Sequence, residues 1–488
     1  MTEKYDRGDT RISTRDSVHS SEDQPKTIRR WFHWHEPGTS KAEKWLIFKL
    51  DFFILTYTCL DQQNVSNAYV SGMKEDLHLK GNELNWFITY CNIGIIVGGP
   101  IITAGLTVVK PRFLLPLCSL VWSLFVLFMY KVQSAQTMYI LRFFAGFFES
   151  AVMPGSFYII GSWYRASEIS RRCTMFMFAS VGGGMFSGYI QAGLHANMNG
   201  RMGLASWRWV FIFDFILGLP VILLGIFCCP DEPKGPKPWW LSDQEQKMCI
   251  QRLADDKRDA GDTKWDLAAL KRIFSSWQLY GFCMAWTCWE LTCGVNLNRW
   301  MSLFLKSLKV DGHAKFSIEQ INDLPTVIGC VEMAWMFLSS MLADRFQAHA
   351  WIIVGLGAVH LFAYIVFLVW SSNIHFLMAA YYLCSAYGAI APLISAWLNS
   401  CCGGDKQLRA LATSVMFSIG YAAETPAQQY LFPTTDAPRF EKTRGFVFGI
   451  VWVAMLMVWC GVVLPILERR FGHRHAKGER VESVQASR

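Results

Sequence analysis

The chain has 488 residues, of which 52% are hydrophobic and only 17% are charged. Soluble globular domains carry about 25% charged residues, so this composition excludes a disordered protein, a nucleic-acid binder and an ordinary cytosolic enzyme. The net charge of +8 does not indicate an acidic partner, because in a membrane protein the location of each charge matters more than the sum. At about 20 residues per spanning helix, twelve helices would occupy half of the chain.

Apolar runs of spanning length recur along the whole chain and predict an all-α membrane protein with twelve helices. The predicted spans are 45–72, 84–107, 113–131, 137–161, 173–195, 207–229, 278–305, 319–342, 349–370, 375–398, 408–431 and 445–467. Six spans precede a polar stretch and six follow it, which indicates a duplicated transporter with its binding site between the two halves. We therefore predict a disordered cytosolic tail at 1–44, six-helix bundles at 45–229 and 278–467, a cytosolic central loop at 230–277 and a cytosolic tail at 468–488.

The distribution of basic residues predicts the orientation of these helices in the membrane. If the N-terminus is cytosolic, 32 Lys and Arg residues fall in cytosolic tails and loops and 10 in outer loops. Cytosolic segments are enriched in Lys and Arg, so we expect both termini to be cytosolic. No cleavable secretory signal is recognisable, and the first span is expected to act as the anchor.

The first span contains two polar residues on one helix face, Asp61 and Asn64, which are three positions apart. Because a charged residue inside a bilayer is costly, it is a functional candidate by default. Asp61 is a candidate proton-binding carboxyl. The alternative is that it orders this helix against a partner Arg.

The fourth span carries Arg142 and Glu149, which are seven residues apart and therefore on one helix face. An Arg can hold a substrate carboxylate through a fork of N–H donors. A Glu in a low-dielectric cavity can take up a proton. Together they would couple an anion to a proton, and the alternative is a structural salt bridge between helices. Pro154 and Gly155 follow and are expected to break or bend this helix.

Further candidates lie in the second set of spans. Glu290, Gly294 and Asn298 have helical spacing and predict one polar stripe that lines a cavity, with Asn296 and Arg299 nearby. Glu332 in the eighth span and Glu424 in the eleventh, close to Pro426, are further candidates for lining a cavity or gate.

The polar stretch between the two sets of spans contains Ser242 and Glu245, which are spaced as a helix capping box. It predicts a short surface helix that is either a plain tether or a regulatory element. The 15 cysteines lie mostly in apolar runs without metal-site spacing, and no nucleotide-binding or hydrolase motif stands in a suitable context. We therefore expect no metal, no cofactor and no enzymatic activity.

Several segments together resemble the major facilitator superfamily, and within it the anion:cation symporter branch and its fungal allantoate and pantothenate permease group. The segments that carry the resemblance are EPGTSKAEKWLIFKLDFFILTY, NVSNAYVSGMKEDL, LRFFAGFFESAVMPG, GSWYRASEISRR, SWRWVFIFDF, SIEQINDLPTV and LADRF. The resemblance implies twelve helices, a plasma-membrane location and proton-coupled uptake of small organic anions. It also implies that Arg142 and Glu149 match the family's pair for substrate binding and proton coupling.

The chain also departs from this family's pattern. Asp61 and Asn64 fall on its first-helix motif, but Gln62 stands where the family usually has Arg, which leaves Arg142 as the main carboxylate-binding candidate. The loop after the second span lacks the superfamily's acidic residue, whereas the equivalent later loop keeps Asp344 and Arg345, which are gate candidates. The first helix is about two turns shorter than in the family.

These observations predict a proton-coupled symporter that imports a small carboxylated nutrient, with a pantothenate-like vitamin favoured. The expected substrate-binding residues are Arg142, Asn64, Gln62, Glu290 and Asn298. The expected proton-coupling residues are Glu149 and Asp61. The expected partners are the organic anion, the proton and the lipid bilayer, with no nucleic acid, and the protein is expected to be a monomer. The alternatives are another organic anion (biotin, nicotinate or allantoate), a nutrient sensor that does not transport, and a membrane enzyme, against which the lack of a clustered nucleophile or metal set argues.

Overall fold

The computed structural model describes residues 40–57, 65, 68–106, 109–255, 267–310, 313–346, 348–402 and 405–471, and the unit described below begins at Lys41. Eight helical segments in these residues are long and apolar enough to cross a membrane. They are Glu83–Thr103, Pro111–Lys131, Ala135–Trp163, Ser206–Cys228, Thr326–Ala343, His349–Val369, Ile374–Cys401 and Gly445–Phe471. Four further long segments at 41–57, 166–198, 277–307 and 406–431 bring the described total to the predicted twelve. They are shorter, interrupted or more polar than the eight.

The helices of the first six segments are α1 to α7 in chain order. They are α1 (Lys41–Tyr57), α2 (Glu83–Leu106), α3 (Pro111–Phe128), α4 (Ala135–Glu149), α5 (Val152–Trp163), α6 (Ala166–Met198) and α7 (Ser206–Cys228). A π-helical turn, Tyr69–Met73, and a helical turn, Lys74–Asp76, precede α2. Two 3-10 turns, Met129–Lys131 and Arg201–Gly203, follow α3 and α6. Helix α1 begins at Lys41, whereas the predicted first span begins at 45.

The remaining helices are α8 to α18. Two lie in the central loop, α8 (Asp243–Asp255) and α9 (Leu267–Phe274). The others are α10 (Trp277–Glu290), α11 (Leu297–Ser307), α12 (Ile318–Asp323), α13 (Thr326–Phe346), α14 (His349–Val369), α15 (Ile374–Cys384), α16 (Ile390–Cys401), α17 (Lys406–Leu431) and α18 (Gly445–Val458). Short 3-10 turns lie at Gly294–Asn296, Ser385–Ala389 and Thr434–Asp436, and a π-helical turn at Trp459–Val463. The two strands, β1 (Lys309–Val310) and β2 (His313–Ala314), form a two-residue antiparallel ladder, so the all-α prediction is confirmed apart from this small hairpin.

The predicted break in the fourth span is confirmed, and it lies directly after Glu149. Helix α4 begins after Ser134, whose hydroxyl accepts the backbone N–H of Thr137, and ends at Glu149. Helix α5 begins at Val152, and Pro154 lies in its first turn. Because Pro has no N–H to donate to the carbonyl of residue i−4, a continuous helix through Ser150 is disfavoured. The break therefore places Glu149 at a helix end.

Helices α2 and α4 approach each other with glycine at the contact. A Cβ built on Gly94 would lie 2.1 Å from the carbonyl oxygen of Phe143, and one on Gly98 would lie 2.3 Å from that of Phe147. A Cβ on Gly146 would lie 2.1 Å from the carbonyl oxygen of Cys91. Small residues four apart allow helix backbones to approach closely in membranes. This contact positions the helix that carries Arg142 and Glu149.

Ion pairs connect the central-loop helix α8 to the start of α1 and α6. Arg252 on α8 donates to Glu43 at 2.7 Å and to Glu168 at 2.5 Å. Lys49 on α1 donates to Glu245 at 2.8 Å. The predicted capping box of α8 is confirmed, because the Glu245 carboxylate accepts the Ser242 N–H at 2.8 Å and the Ser242 hydroxyl accepts the Glu245 N–H at 3.3 Å. Burial acts to raise the pKa of Glu245, but the bonds from Lys49 and Ser242 outweigh it and lower the pKa. This helix is therefore anchored to the bundle.

We predict that Gly94→Ala destabilises the folded protein by about 1–3 kcal/mol, the usual cost of overpacking, because its Cβ has no room beside the Phe143 carbonyl. The measurement is the thermal midpoint of the detergent-purified protein. The matched control is Gly355→Ala on α14, where the added Cβ meets nothing within 4 Å and the midpoint should not fall. Equal midpoints for the two variants would contradict the close approach of α2 and α4.

Candidate substrate cavity

A cavity of about 360 Å³ lies among helices from both the first six and the last six segments. Its wall includes residues of α2, α4, α6, α10, α11, α13 and α17 and of the turn at Ser385–Ala389. Small-molecule sites have volumes of about 300–1,000 Å³, so the cavity is large enough for a metabolite. Five predicted site residues line it, namely Arg142, Glu149, Asn298, Glu332 and Glu424.

Arg142 presents a guanidinium to the cavity that is not engaged elsewhere in the described part of the chain. The residue is 6% exposed, and its buried Nε has no acceptor among the described residues. Neither a hydrogen bond nor an ion pair from Arg142 to another described residue is present, so the salt bridge considered as an alternative has no described partner. Burying an unpaired charge is unfavourable, and a cavity-facing cation is satisfied when an anion binds.

Glu149 faces the same cavity two helical turns along α4. The thiol of Cys91 on α2 donates to its carboxylate at 3.7 Å. Cys91 lies within electrostatic range of both Arg142 and Glu149. Arg142 and Glu149 therefore lie on one face of α4, as predicted, and this face is directed toward α2.

Glu424 on α17 accepts hydrogen bonds from helices on both sides of the cavity. The amide of Asn92 on α2 donates to its Oε2 at 3.0 Å, and the amide of Asn296 donates to its Oε1 at 3.2 Å. Asn92 also donates to the Thr425 hydroxyl at 3.0 Å. The Glu424 side chain is 2% exposed, and its carboxylate joins α2, α17 and the turn before α11.

A second arginine in the cavity wall, Arg299 on α11, is engaged by polar neighbours. Its Nη1 donates to the Asn85 side chain at 3.1 Å, and the same Asn85 oxygen accepts the Thr434 hydroxyl at 3.1 Å. With the Gln428 amide oxygen turned toward Arg299, that oxygen accepts from the two Arg299 Nη atoms at 2.8 and 2.7 Å, and the amide nitrogen donates to Glu424 at 3.3 Å. Arg299 thus belongs to a polar seam between α2, α11 and α17, in contrast to Arg142.

Two aromatic rings, those of Trp289 and Tyr387, form part of the cavity wall. Trp289 and Tyr387 are stacked with centroids 4.6 Å apart and planes inclined by 6°, and the Trp289 indole N–H donates to the Tyr387 carbonyl at 3.0 Å. A Cβ built on Gly294 would lie 2.5 Å from the Tyr387 ring, so Tyr387 is held between the two. In the described residues, neither the Tyr387 hydroxyl nor the side-chain oxygen of Asn298 has a hydrogen-bond partner.

The predicted stripe of Glu290, Gly294 and Asn298 is wrong, because the helix that it requires is interrupted. Helix α10 ends at Glu290, Cys293 has a left-handed backbone with φ of 55°, and α11 begins at Leu297. Gly294 and Asn298 line the cavity. Glu290 is 3% exposed and accepts the Trp286 indole N–H at 3.1 Å, and it is not among the lining residues.

The remaining predicted site residues lie in several places. Asp61, Gln62 and Asn64 fall in 58–64, outside the described residues. Arg345 is exposed at the end of α13, away from the residues that line the cavity. The backbone of Asp344 belongs to α13, but its side chain is not among those that the structure describes. A Cβ on Gly388 would lie 1.7 Å from Glu332 Oε1, so Glu332 packs directly against the turn at Ser385–Ala389.

Sequence reasoning missed Asn92, Trp289 and Tyr387, and it noted Arg299 only as a neighbour of the stripe. Asn92 stands in the apolar run YCNIGII, and an uncharged amide there is a weaker signal than a charge. Trp289 and Tyr387 resemble ordinary packing aromatics in the sequence. Arg299 carries the same signal as Arg142, because both are arginines inside predicted spans.

The fold and the polar cavity between helices are those of a membrane transporter. The model of the Major Facilitator Superfamily matches residues 52–427, and the chain belongs to this family. It is therefore a multi-pass membrane transporter and not an enzyme.

Among curated proteins, the chain is 44% identical over 458 residues to MFS transporter PfmaC of Pestalotiopsis fici, which covers 92% of this chain and 85% of that protein. It is 32% identical to Pantothenate transporter liz1 of Schizosaccharomyces pombe, over 86% of this chain and 83% of that protein. It is 28% identical to the Vitamin H transporter of Saccharomyces cerevisiae, over 93% of this chain and 78% of that protein.

Solved structures share the fold. The proton:xylose symporter XylE matches with a TM-score of 0.66 at 14% identity, covering 88% of this chain and 96% of that one. The human organic anion transporter MFSD10 matches with a TM-score of 0.57 at 11% identity, covering 86% of this chain and all of that one, 100%. The resemblance to this superfamily and the predicted fold class are confirmed.

We predict that Arg299→Ala lowers the thermal midpoint of the purified protein, whereas Arg142→Ala leaves it unchanged or raises it. Removing Arg299 leaves Asn85 and Gln428 without their partner, and a lost hydrogen bond to a charged group costs about 1.5–3 kcal/mol. Removing Arg142 breaks no described bond and relieves a buried charge. A fall for Arg142→Ala equal to that for Arg299→Ala would show that both arginines are structural.

Proposed function

We propose that the chain is a proton-coupled symporter that imports a small carboxylated nutrient, a pantothenate-like vitamin, across the plasma membrane. The single observation that carries the proposal is the cavity-facing Arg142 guanidinium without a described partner. Planar guanidinium groups recognise carboxylates through two parallel hydrogen bonds, and the relatives that share most of the chain's length include transporters named for pantothenate and for vitamin H. Both vitamins carry a carboxylate.

In the proposed mechanism, Arg142 holds the substrate carboxylate, and Glu149, on the same face of α4, takes up the proton. Asp61 is proposed as a second proton carrier, and Gln62 and Asn64 as substrate contacts. Asn298 offers a further amide in the cavity wall. Substrate and proton together neutralise the charges in the cavity, so that the loaded protein can expose the site to the opposite side of the membrane.

The movement proposed for transport is rocking of the two six-helix bundles, 45–229 and 278–467, around the cavity. Both termini are proposed to be cytosolic, as the excess of Lys and Arg in the corresponding loops favours. The transporting unit is proposed to be a monomer. The anchored helix α8 would then link the two bundles on the cytosolic side, where its ion pairs to α1 and α6 limit how it can move.

The proposal is tested by uptake of radiolabelled pantothenate, biotin, nicotinate and allantoate in yeast cells that lack their own carriers, at acid and at neutral pH. We predict accumulation of one acid, stronger at acid pH, because protons drive it. Arg142→Ala should reduce the apparent affinity for that acid at least 10-fold, since a hydrogen bond to a charged group contributes about 1.5–3 kcal/mol. Arg142→Lys should restore part of it, because Lys keeps the charge but not the fork.

The matched control is Arg439→Ala, which removes an exposed arginine paired with Glu441 outside the cavity, and uptake should be unchanged. Uptake of none of the four acids would contradict the proposed substrate class. Binding of an acid without its accumulation would identify a sensor instead of a transporter.

We predict that Glu149→Gln abolishes acid-driven accumulation while exchange of labelled for unlabelled substrate survives. The amide keeps the shape of the side chain but cannot take up a proton to complete the cycle. Net accumulation is measured first, followed by counterflow in preloaded cells. Accumulation that persists unchanged in this variant would show that Glu149 does not couple the proton.

A further inference from the structure

Glu424 is held by amide side chains from two separate parts of the chain. Its two carboxylate oxygens are bonded separately, Oε2 by Asn92 on α2 and Oε1 by Asn296 in the turn before α11. Asn92 and Glu424 are 332 positions apart in the chain. The same carboxylate therefore ties a helix of the first six segments to two elements of the last six, and it lies in the wall of the cavity.

Neutral amides hold this carboxylate, and among the described residues no cation pairs directly with it. Arg299 lies within electrostatic range of Glu424 but, in the described residues, donates to Asn85 and Gln428. A carboxylate clamped by a guanidinium resists protonation, because the proton would have to displace a charge-assisted contact. At Glu424, a proton displaces only the charge-assisted part of a hydrogen bond from a neutral amide.

The other ionisable groups that face Glu424 come from four elements. Glu290 on α10 and Arg299 on α11 lie in range, as does Cys293 between these helices. Tyr387 faces it from the turn at Ser385–Ala389, and Tyr421 from its own helix. One cation and a second carboxyl lie nearby. A change of one charge at Glu424 therefore alters the net charge of the polar seam between α2, α11 and α17.

We infer that Glu424 binds a coupling proton and that its charge state sets how tightly α2 is held to α17. When it is ionised, it accepts charge-assisted hydrogen bonds from the Asn92 and Asn296 amides, each stronger than a bond between neutral groups. When a proton from cavity water binds to Oε2, the carboxyl group becomes neutral, and the bond from the Asn92 nitrogen loses its charge assistance and weakens. Helix α2 is then held less tightly to α17, and the proton returns to water when the charge-assisted bond re-forms.

This inference rests on the proposed proton-coupled transport. It adds a proton-binding residue to Glu149 and Asp61, and it gives proton binding a structural effect, because the contact between α2 and α17 is weakened. The Asn92 amide also donates to the Thr425 hydroxyl on α17, and this bond keeps Asn92 close to Glu424 while the bond to the carboxyl group is weak.

The test compares Glu424→Gln with Glu441→Gln, a matched control that changes an exposed carboxyl outside the cavity lining. Accumulation at acid pH and counterflow are measured for both in the same cells. For Glu424→Gln we expect accumulation to fall at least 10-fold and counterflow to stay within about threefold of the wild type. Glu441→Gln should match the wild type in both.

Asn92→Ala provides the second variant, because it removes one donor to the ionised carboxylate and leaves the carboxyl in place. It should still accumulate substrate, with half-maximal uptake at a higher pH than in the wild type. Wild-type accumulation by Glu424→Gln, with the usual pH profile, would overturn the inference while leaving the proposed function intact. Loss of counterflow together with accumulation would also overturn it, since Glu424 would then be needed for binding or movement itself.

If Glu424→Gln does not reach the membrane, the inference is tested with Glu424→Asp instead. The shorter carboxyl can still take up a proton but cannot reach both amides, so accumulation should persist with a displaced pH profile. An unchanged profile would overturn the inference. A wild type that accumulates no acid at low pH would overturn the proposed function, and this inference with it.

Discussion

The cost of burying an unpaired charge is the constraint on which the site depends. Arg142 sits in a membrane helix, 6% exposed, without a described hydrogen-bond or ion-pair partner. Such a charge is retained only where water or a ligand anion can reach it. The cavity satisfies that condition, since Arg142 belongs to its wall. The close approach of α2 and α4, made possible by Gly94, Gly98 and Gly146, then sets the distance between this charge and the polar side chains of α2.

The two arginines of the cavity differ in their contacts, and we assign a structural role to one and a binding role to the other. Arg299 is held by Asn85 and Gln428 and contributes to the seam between α2, α11 and α17. Arg142 has no such neighbours in the described part of the chain. The same residue type therefore has two different environments within one cavity. Glu424 lies on the seam side, where the amides of Asn92 and Asn296 donate to it from different parts of the chain.

Part of this site was predictable from the sequence, and the reason is local geometry. Arg142 and Glu149 share a face because the helix between them is continuous, so their spacing alone was sufficient. The stripe from Glu290 to Asn298 failed because α10 ends at Glu290 and Cys293 takes a left-handed backbone, which no periodicity rule signals. Asn92 was missed because its partner Glu424 is distant in the chain, and such pairs follow only from the packed fold. Eight spans in the described residues were predictable because they are long and apolar, as lipid requires of a helix with satisfied backbone groups.

Direct binding tests the central claim that Arg142 recognises a carboxylate. The measurement is the affinity of the purified protein for the acid that the uptake panel identifies and for the uncharged amide of that acid. We predict that the wild type binds the acid at least 10-fold more tightly than the amide, and that Arg142→Ala binds the two alike. Equal affinities in the wild type, or a preference for the acid that survives in Arg142→Ala, would contradict a substrate site built on this guanidinium.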